Sequence, residues 1–386
     1  MVSHSIIYLT PFPKIDSGRR EYFVKSAFEK HMGIDVGIYT LREFLNNHPP
    51  LNYLGRFTYK IHLYPLSRLC TEISSIFSLK KINGFKAAIC LNTLTTQVVR
   101  KAFREYIFVV LDYMDVFLKN NGELTSYETK TITKADIIIF WSKALKELLN
   151  KFYGKLIRRS EYVPFGIDLS NFDKHFTKAN PSEFRKCYGI RDYEFIVTFS
   201  GIAWKGLRKE AHGIFELIPA LKKLLQNIPH IKIVFQGIDI SKFMEFYKKI
   251  KKHSLLERTL ILPVMRRYDN LRMSLLKASN ILLLPSSNWP TIAYAEQMKT
   301  FEYMAAAKPI VAHDVPGLRG VLNDSTAFFC KLEDTENFVS NIINIYENPD
   351  EAYEKAEKAR IQVVQNYDWK ILAPKYVKII ANSIFH

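Results

Sequence analysis

An α/β protein with two parallel-sheet domains is the fold the sequence predicts, on three observations. Short apolar runs stopped by turn residues, such as Ile281-Leu282-Leu283-Leu284 before Pro285-Ser286-Ser287, read as strands buried on both faces. Stretches with apolar residues at helical spacing separate those runs along most of the chain, the alternation that builds parallel crossover units. The length of 386 residues exceeds one usual domain, so two are expected, each with a full core.

In the first half, His4 to Leu9, Ile34 to Thr40, Ala87 to Leu91 and Tyr106 to Leu111 read as strands. Gly18 lies in the loop between the first strand and the helical pattern Tyr22, Phe23, Ala27, Phe28; an ordinary strand-to-helix turn also accounts for it. The region Arg56 to Ile82 reads as one or two amphipathic helices, in which Phe57, Tyr59, Leu66 and Phe77 mix with Arg56, Lys80 and Lys81. Such helices dock at a membrane interface, or else form core and rim. Asp112 and Asp115 follow a buried strand three residues apart, placed to reach the carboxyl edge of a sheet. There one of them could orient an acceptor hydroxyl; helix capping is the competing use. Lys134 to Phe140 is a further strand that leads into a helix. At Val163-Pro164-Phe165-Gly166 the chain is expected to turn between domains, since proline fixes φ and glycine permits a positive one.

The second domain opens with the strand Phe195 to Phe199, which breaks at Ser200-Gly201. In the loop that follows, Lys205 stands where it can neutralise a diphosphate. Ile231 to Gln236 and Thr259 to Leu262 continue the strands. After Ile281 to Leu284, a helix from about Gln297 to Ala307 carries Met298, Phe301, Met304 and Ala305 on one side and stops before Pro309. Its first N–H groups and dipole favour an anion, while Lys299 and Glu302 lie three residues apart and so on one face. Ile310 to Ala312 and Ala327 to Cys330 are the last strands, and helices run on from Thr335. The expected boundaries are residues 1–165, a connection over 166–193, a second domain over 194–364 and a closing helix over 365–386.

The formal net charge is +17, and residues 1 to 160 hold 24 Lys and Arg against 13 Asp and Glu, so most of the excess lies in the first half. That asymmetry suits an anionic membrane or a polyprenyl-phosphate acceptor, although nucleic acid or charge spread evenly over the surface would fit the number alone. No apolar run reaches the roughly 20 residues of a membrane span and no signal-peptide core precedes the first strand, so a cytoplasmic location is expected, at the inner face of the membrane. The four cysteines are scattered without a CxxC pair, which argues against a zinc site or a disulfide framework.

The string QMKTFEYMAAAKPIVAHDVPGLRGVL resembles the donor-site segment of nucleotide-sugar glycosyltransferases of GT-B architecture, in particular the retaining family four, the glycosyl transferases of group 1. Val163-Pro164-Phe165-Gly166-Ile167-Asp168 with Phe172 is a second match, to the string that ends the N-terminal domain in that family. The resemblance implies two Rossmann-like β/α/β domains facing across a cleft, an acceptor-binding one followed by a nucleotide-sugar-binding one. It implies transfer of a sugar from a nucleoside diphosphate donor to a hydroxyl with retention, without a metal or other cofactor. Glu302 would contact the ribose hydroxyls and Lys205 the phosphates. Gly18, Gly201, Lys299 and Thr300 would complete the donor site, with Asp112 or Asp115 acting on the acceptor. Ile202 stands where many relatives carry an arginine, so Lys299 or, next, Arg266 or Arg267 is expected to supply the second cation. Tyr294 stands where many relatives carry a carboxylate eight residues before Glu302, which leaves recognition of the sugar open. The implied partners are the nucleotide-sugar donor, a glycan or lipid-linked acceptor and a peripheral membrane contact through the basic N-terminal half, with no nucleic acid. A sugar-nucleotide epimerase of the same architecture and a non-catalytic basic protein are the alternatives.

Overall fold

A computed structural model describes residues 5–11, 20–60, 63–82, 84–104, 106–114, 116–203, 212–241 and 243–384. The chain forms two compact units, one of residues 1–165 with 370–386 and the other of residues 166–369. The helix Trp369–Ile384 therefore counts, all but its first residue, with the first unit.

The first unit holds a sheet of β1 (Ile6–Thr10), β2 (Val36–Thr40), β3 (Ala87–Cys90), β4 (Phe108–Tyr113), β5 (Ile137–Phe140) and β6 (Ser160–Tyr162), in the order β2-β1-β3-β4-β5-β6. Every pairing is parallel. Strands β1, β3 and β5 are buried at every position, because helices cover both faces, and that is why they read as unbroken apolar runs. Ser142 caps the helix Lys143–Tyr153 by accepting from Leu145 N–H at 3.2 Å. The amphipathic region resolves into two helices, Pro49–Lys60 and Tyr64–Leu79, packed on each other.

The second unit holds β7 (Phe195–Ser200), β8 (Ile231–Gln236), β9 (Thr259–Leu262), β10 (Ile281–Leu284), β11 (Ile310–His313) and β12 (Phe328–Cys330), in the order β12-β11-β10-β7-β8-β9 and again all parallel. Its strands show the two-residue period of a sheet covered on both sides. Val197, Phe199, Ile233, Phe235, Leu283 and Val311 enter one core cluster, while Ile196, Val234 and Leu262 enter the cluster on the other face with Leu275. Gly166 adopts φ +66°, as the turn at the entry to this unit requires. Residues 166–193, expected as a connection, contain two helices of this unit. Asp168 caps Leu169–Lys178, and Asn180 with Pro181 starts Pro181–Cys187.

In this unit strand order reverses between β7 and β10, whose chains leave the sheet in opposite directions. Open α/β sheets bind ligands beyond the carboxyl ends of their strands at such a point. Gly201 follows β7 there, and the loop that leads to the helix Met298–Ala305 follows β10.

Candidate functional site

The end of β7 is tied to the helix Met298–Ala305 by Tyr303. Its phenol receives the Ser200 N–H at 2.8 Å and donates to the Ser200 carbonyl at 3.2 Å. Ser200 Oγ then bonds Gln236 Oε1 at 2.7 Å, and the Gln236 amide donates to the Pro263 carbonyl at 3.0 Å. Three strand ends are thereby held in one register by buried polar bonds.

Gly201 makes room for Lys299. A Cβ at Gly201 would fall 2.9 Å from Lys299 Nζ, and one at Gly237, where φ is +96°, would fall 2.1 Å from the Gly201 carbonyl oxygen. Lys299 is buried, its Nζ 4.3 Å from the centre of the Phe199 ring, which favours the ammonium over the ring face. His212, whose ring centre lies 5.9 Å from that of Phe199, is driven well below its ordinary value, first by desolvation and then by the Lys299 charge. A neutral imidazole adds no charge of its own beside the Lys299 ammonium. No side chain caps the start of the helix at Gln297, where the Thr300 N–H donates to the Gln297 carbonyl at 2.9 Å, and the helix dipole favours an anion there.

Glu302, only 4% exposed, is not a solvated helix residue. Arg267 Nε donates to Oε1 at 2.6 Å, and Arg272 Nη2 donates to Oε2. Arg272 also donates from Nη1 to the Arg267 carbonyl at 2.7 Å, so the two arginines are fixed relative to each other. Burial alone would raise the Glu302 carboxyl, but the two guanidiniums outweigh it and hold the group below the ordinary carboxylate range. The result is an ionised acid in a buried frame. Each oxygen keeps lone-pair capacity for a further donor such as a sugar hydroxyl. At the end of β11, His313 Nδ1 lies 2.9 Å from both the N–H and the carbonyl oxygen of Ser286, which fixes the loop after β10; burial drives His313 down to about 4, against a smaller upward pull from the Ser286 backbone.

The other sequence-derived candidates divide. Gly18, Asp115 and Lys205 lie outside the described residues. Thr300 is fully buried and its Oγ1 has no partner among the described residues. Arg266 is exposed, and it is the neighbouring Arg267 that reaches Glu302. Asp112 needs correction as an acceptor-orienting group. It is fully buried, and its oxygens accept from Tyr8 OH at 2.8 Å, Arg20 Nε at 2.9 Å, Trp141 Nε1 at 2.5 Å and Tyr376 OH at 3.1 Å. Arg20 in turn donates to the Pro164 and Val163 carbonyls and lies 4.5 Å from the centre of the Trp141 ring. A carboxylate so occupied fastens the helix Trp369–Ile384 and the end of the first unit to its sheet.

Two groups escaped the sequence reading. Arg272 lies on the helix Asn270–Ala278, which no candidate motif touches, and 30 residues separate it from Glu302. Glu128 is buried near the end of β4, where Thr93 and Tyr113 hydroxyls donate to it, and burial raises its carboxyl. Its only signal in the sequence was the Thr125-x-x-Glu128 capping pattern, realised as a 3.3 Å bond to Thr125. Among the described residues, no group of three or more His, Cys, Asp or Glu is placed to hold a metal ion.

Residues 188–362 match the family described as glycosyl transferases group 1. Glycogen synthase of Mycobacterium tuberculosis is 20% identical over 254 residues, which are 65% of this chain and 55% of that enzyme, so the chain spans about half the length of the curated relatives it matches. Among solved structures, sucrose-phosphate synthase from Thermosynechococcus elongatus superposes with a TM-score of 0.70 at 13% identity, over 98% of each chain. The HepE protein of Anabaena in complex with UDP-glucose superposes with a TM-score of 0.71 at 15% identity, over 98% of this chain and 99% of that one. The second unit is therefore similar to the glycosyl transferases of group 1 over residues 188–362, and the chain shares the GT-B fold along its length.

Proposed function

We propose that the chain is a retaining glycosyltransferase, which moves a sugar from a nucleoside diphosphate sugar to a hydroxyl of a lipid-linked or surface glycan, at an anionic membrane face. The observation that carries this reading is the buried, ionised Glu302, framed by Arg267 and Arg272 in the helix whose start stands beside Lys299 and Gly201. In this scheme Glu302 accepts from the ribose hydroxyls. Lys299, the first-turn N–H groups of Met298–Ala305 and Lys205 take the charge that develops on the departing diphosphate, the largest electrostatic need of the step. The HepE protein's complex with UDP-glucose supports a uridine donor as the first to test.

The test is a thermal-shift panel of UDP-, GDP- and ADP-sugars, followed by product analysis. One sugar nucleotide should raise the melting temperature in the wild type and much less in Lys299→Ala. A glycosylated acceptor supports transfer, and an isomerised sugar nucleotide would point instead to epimerase chemistry. Should no sugar nucleotide move the melting temperature, while nucleic acid binds with a steep salt dependence, the transferase reading fails.

A further inference from the structure

The two helices Pro49–Lys60 and Tyr64–Leu79 expose most of their large apolar side chains. In a helix packed on a soluble domain the large apolar residues face the core and polar ones face water. Here most buried positions are small or hydroxylic, Gly55 and Thr58 on the first helix and Cys70, Ser74, Ser75 and Ser78 on the second, where Glu72 and the core residue Leu79 are the larger buried side chains. A Cβ added at Gly55 would stand 3.4 Å from the Cys70 Cβ, the mark of two backbones in close approach. The buried hydroxyls are satisfied locally, Thr58 by the Leu54 carbonyl at 2.8 Å and Ser75 by the Thr71 carbonyl at 2.7 Å, so the packed side needs no large side chain.

Most of the large apolar residues are in water instead. Tyr53 is 81% exposed, Phe57 54% and Leu54 43%, and at 100° per residue these three fall within one third of the helix circumference. On the second helix Leu66, Leu69 and Phe77, at 40%, 47% and 56%, likewise share one stripe. An apolar face of this kind on a soluble protein marks a contact surface. Its electrostatic setting selects the occupant. Between residues 44 and 104 the chain holds nine Lys and Arg, and its one carboxylate, Glu72, is buried against Arg68 and Lys101. Arg56, Lys80 and Lys81 are exposed. Aromatic and aliphatic side chains flanked by unopposed basic ones match an anionic lipid surface, in which the apolar groups enter the headgroup boundary while the cations meet phosphate.

We infer that this helix pair is the element that docks the protein on an anionic membrane, through Tyr53, Phe57, Leu66 and Phe77, with Arg56, Lys80 and Lys81 on the lipid phosphates. The inference gives the membrane contact of the proposed function a definite surface, yet it stands on the exposed face alone and its test is independent of catalysis.

The experiment is co-sedimentation of the full chain with vesicles of equal parts phosphatidylglycerol and phosphatidylcholine, and with vesicles of phosphatidylcholine alone. The wild type should bind the anionic vesicles, and high salt or neutral vesicles should weaken it. Phe57→Ser with Phe77→Ser should weaken binding by about tenfold or more, and Lys80→Glu with Lys81→Glu by a similar factor, at an unchanged melting temperature. Tyr53→Trp adds a reporter to the four native tryptophans, and the difference between its emission and that of the wild type should shift to the blue on anionic vesicles and be quenched by brominated lipid. Failure of the wild type to bind anionic vesicles overturns the inference, as does full binding by the Phe57→Ser, Phe77→Ser variant. A concentration-dependent dimer that this variant disperses overturns it in favour of a second copy of the chain. Vesicle binding without any sugar-nucleotide thermal shift would keep the docking surface and defeat the transferase reading; the converse result would do the opposite.

Discussion

Replacement of Glu302 by alanine leaves two guanidiniums in a space closed to water. The side chain of Arg272 is 8% exposed and that of Arg267 14%, and both point their donors at the carboxylate that is removed. Loss of one partner from a buried ion pair costs about 3–5 kcal/mol, because the remaining charge keeps its desolvation penalty. Arg272 retains its bond to the Arg267 carbonyl and Arg267 is the more exposed, so the lower end applies and a loss of about 3 kcal/mol is expected. A double-mutant cycle separates the pair from general damage. Arg272→Ala alone should also destabilise, while Glu302→Ala with Arg272→Ala should cost less than the sum, with a coupling of about 2 kcal/mol. Urea unfolding followed by circular dichroism measures each corner. A loss under about 0.5 kcal/mol for Glu302→Ala with additive corners would refute the reasoning and make Glu302 an ordinary surface residue.

Three further outcomes follow from the geometry. Gly201→Ala places a methyl 2.9 Å from Lys299 Nζ, and the flexible end of the lysine must move. Stability should change little while sugar-nucleotide affinity falls by roughly tenfold, the loss of one charge-assisted bond; calorimetric titration checks both. His313 is neutral in the folded protein down to about pH 4 but takes a proton near pH 6.5 when unfolded. The unfolded chain therefore binds more protons in that window, so this contribution is complete above pH 6.5 and about 3 kcal/mol of it is gone by pH 4. His313→Asn should flatten that slope in chemical denaturation. Asp112→Ala should destabilise the first unit by about 3–5 kcal/mol, because Arg20 is left buried without its carboxylate, and should leave donor affinity intact. A variant of unchanged stability with lost turnover would restore a direct role on the acceptor.

The strands were legible because they are buried on both faces. Ile231–Gln236 and Thr259–Leu262 coincide with the apolar runs, and Ile281–Leu284 needed only its four apolar residues and Pro285. The helix Leu169–Lys178 was not legible, since the run around Asp168 reads equally as a loop until the cap is seen to be made. In the site, Lys299 and Glu302 were visible from spacing on a helix, a local property. Their neighbours were not. Arg272 and Arg267 come from the segment after β9, and nothing in a sequence of separated elements says which arginine of the Arg266-Arg267 pair turns inward. Asp112 shows the same limit from the other side. A carboxylate at a strand end is equally suited to a ligand or to a buried arginine, and the residue that decides, Arg20, lies 92 positions earlier. The exposed apolar stripes were hidden by composition, because helices with alternating aromatic and basic residues look alike whichever side faces the core.

The most direct measurement is a crystal of the full chain soaked with the sugar nucleotide that raises its melting temperature. Glu302 should accept a hydrogen bond from a ribose hydroxyl while it keeps Arg267 and Arg272, and the diphosphate should lie against Lys299 and the first turn of Met298–Ala305. A nucleotide bound away from β7 and β10, with the Glu302 frame untouched and Lys299 still over the Phe199 ring, would contradict the account.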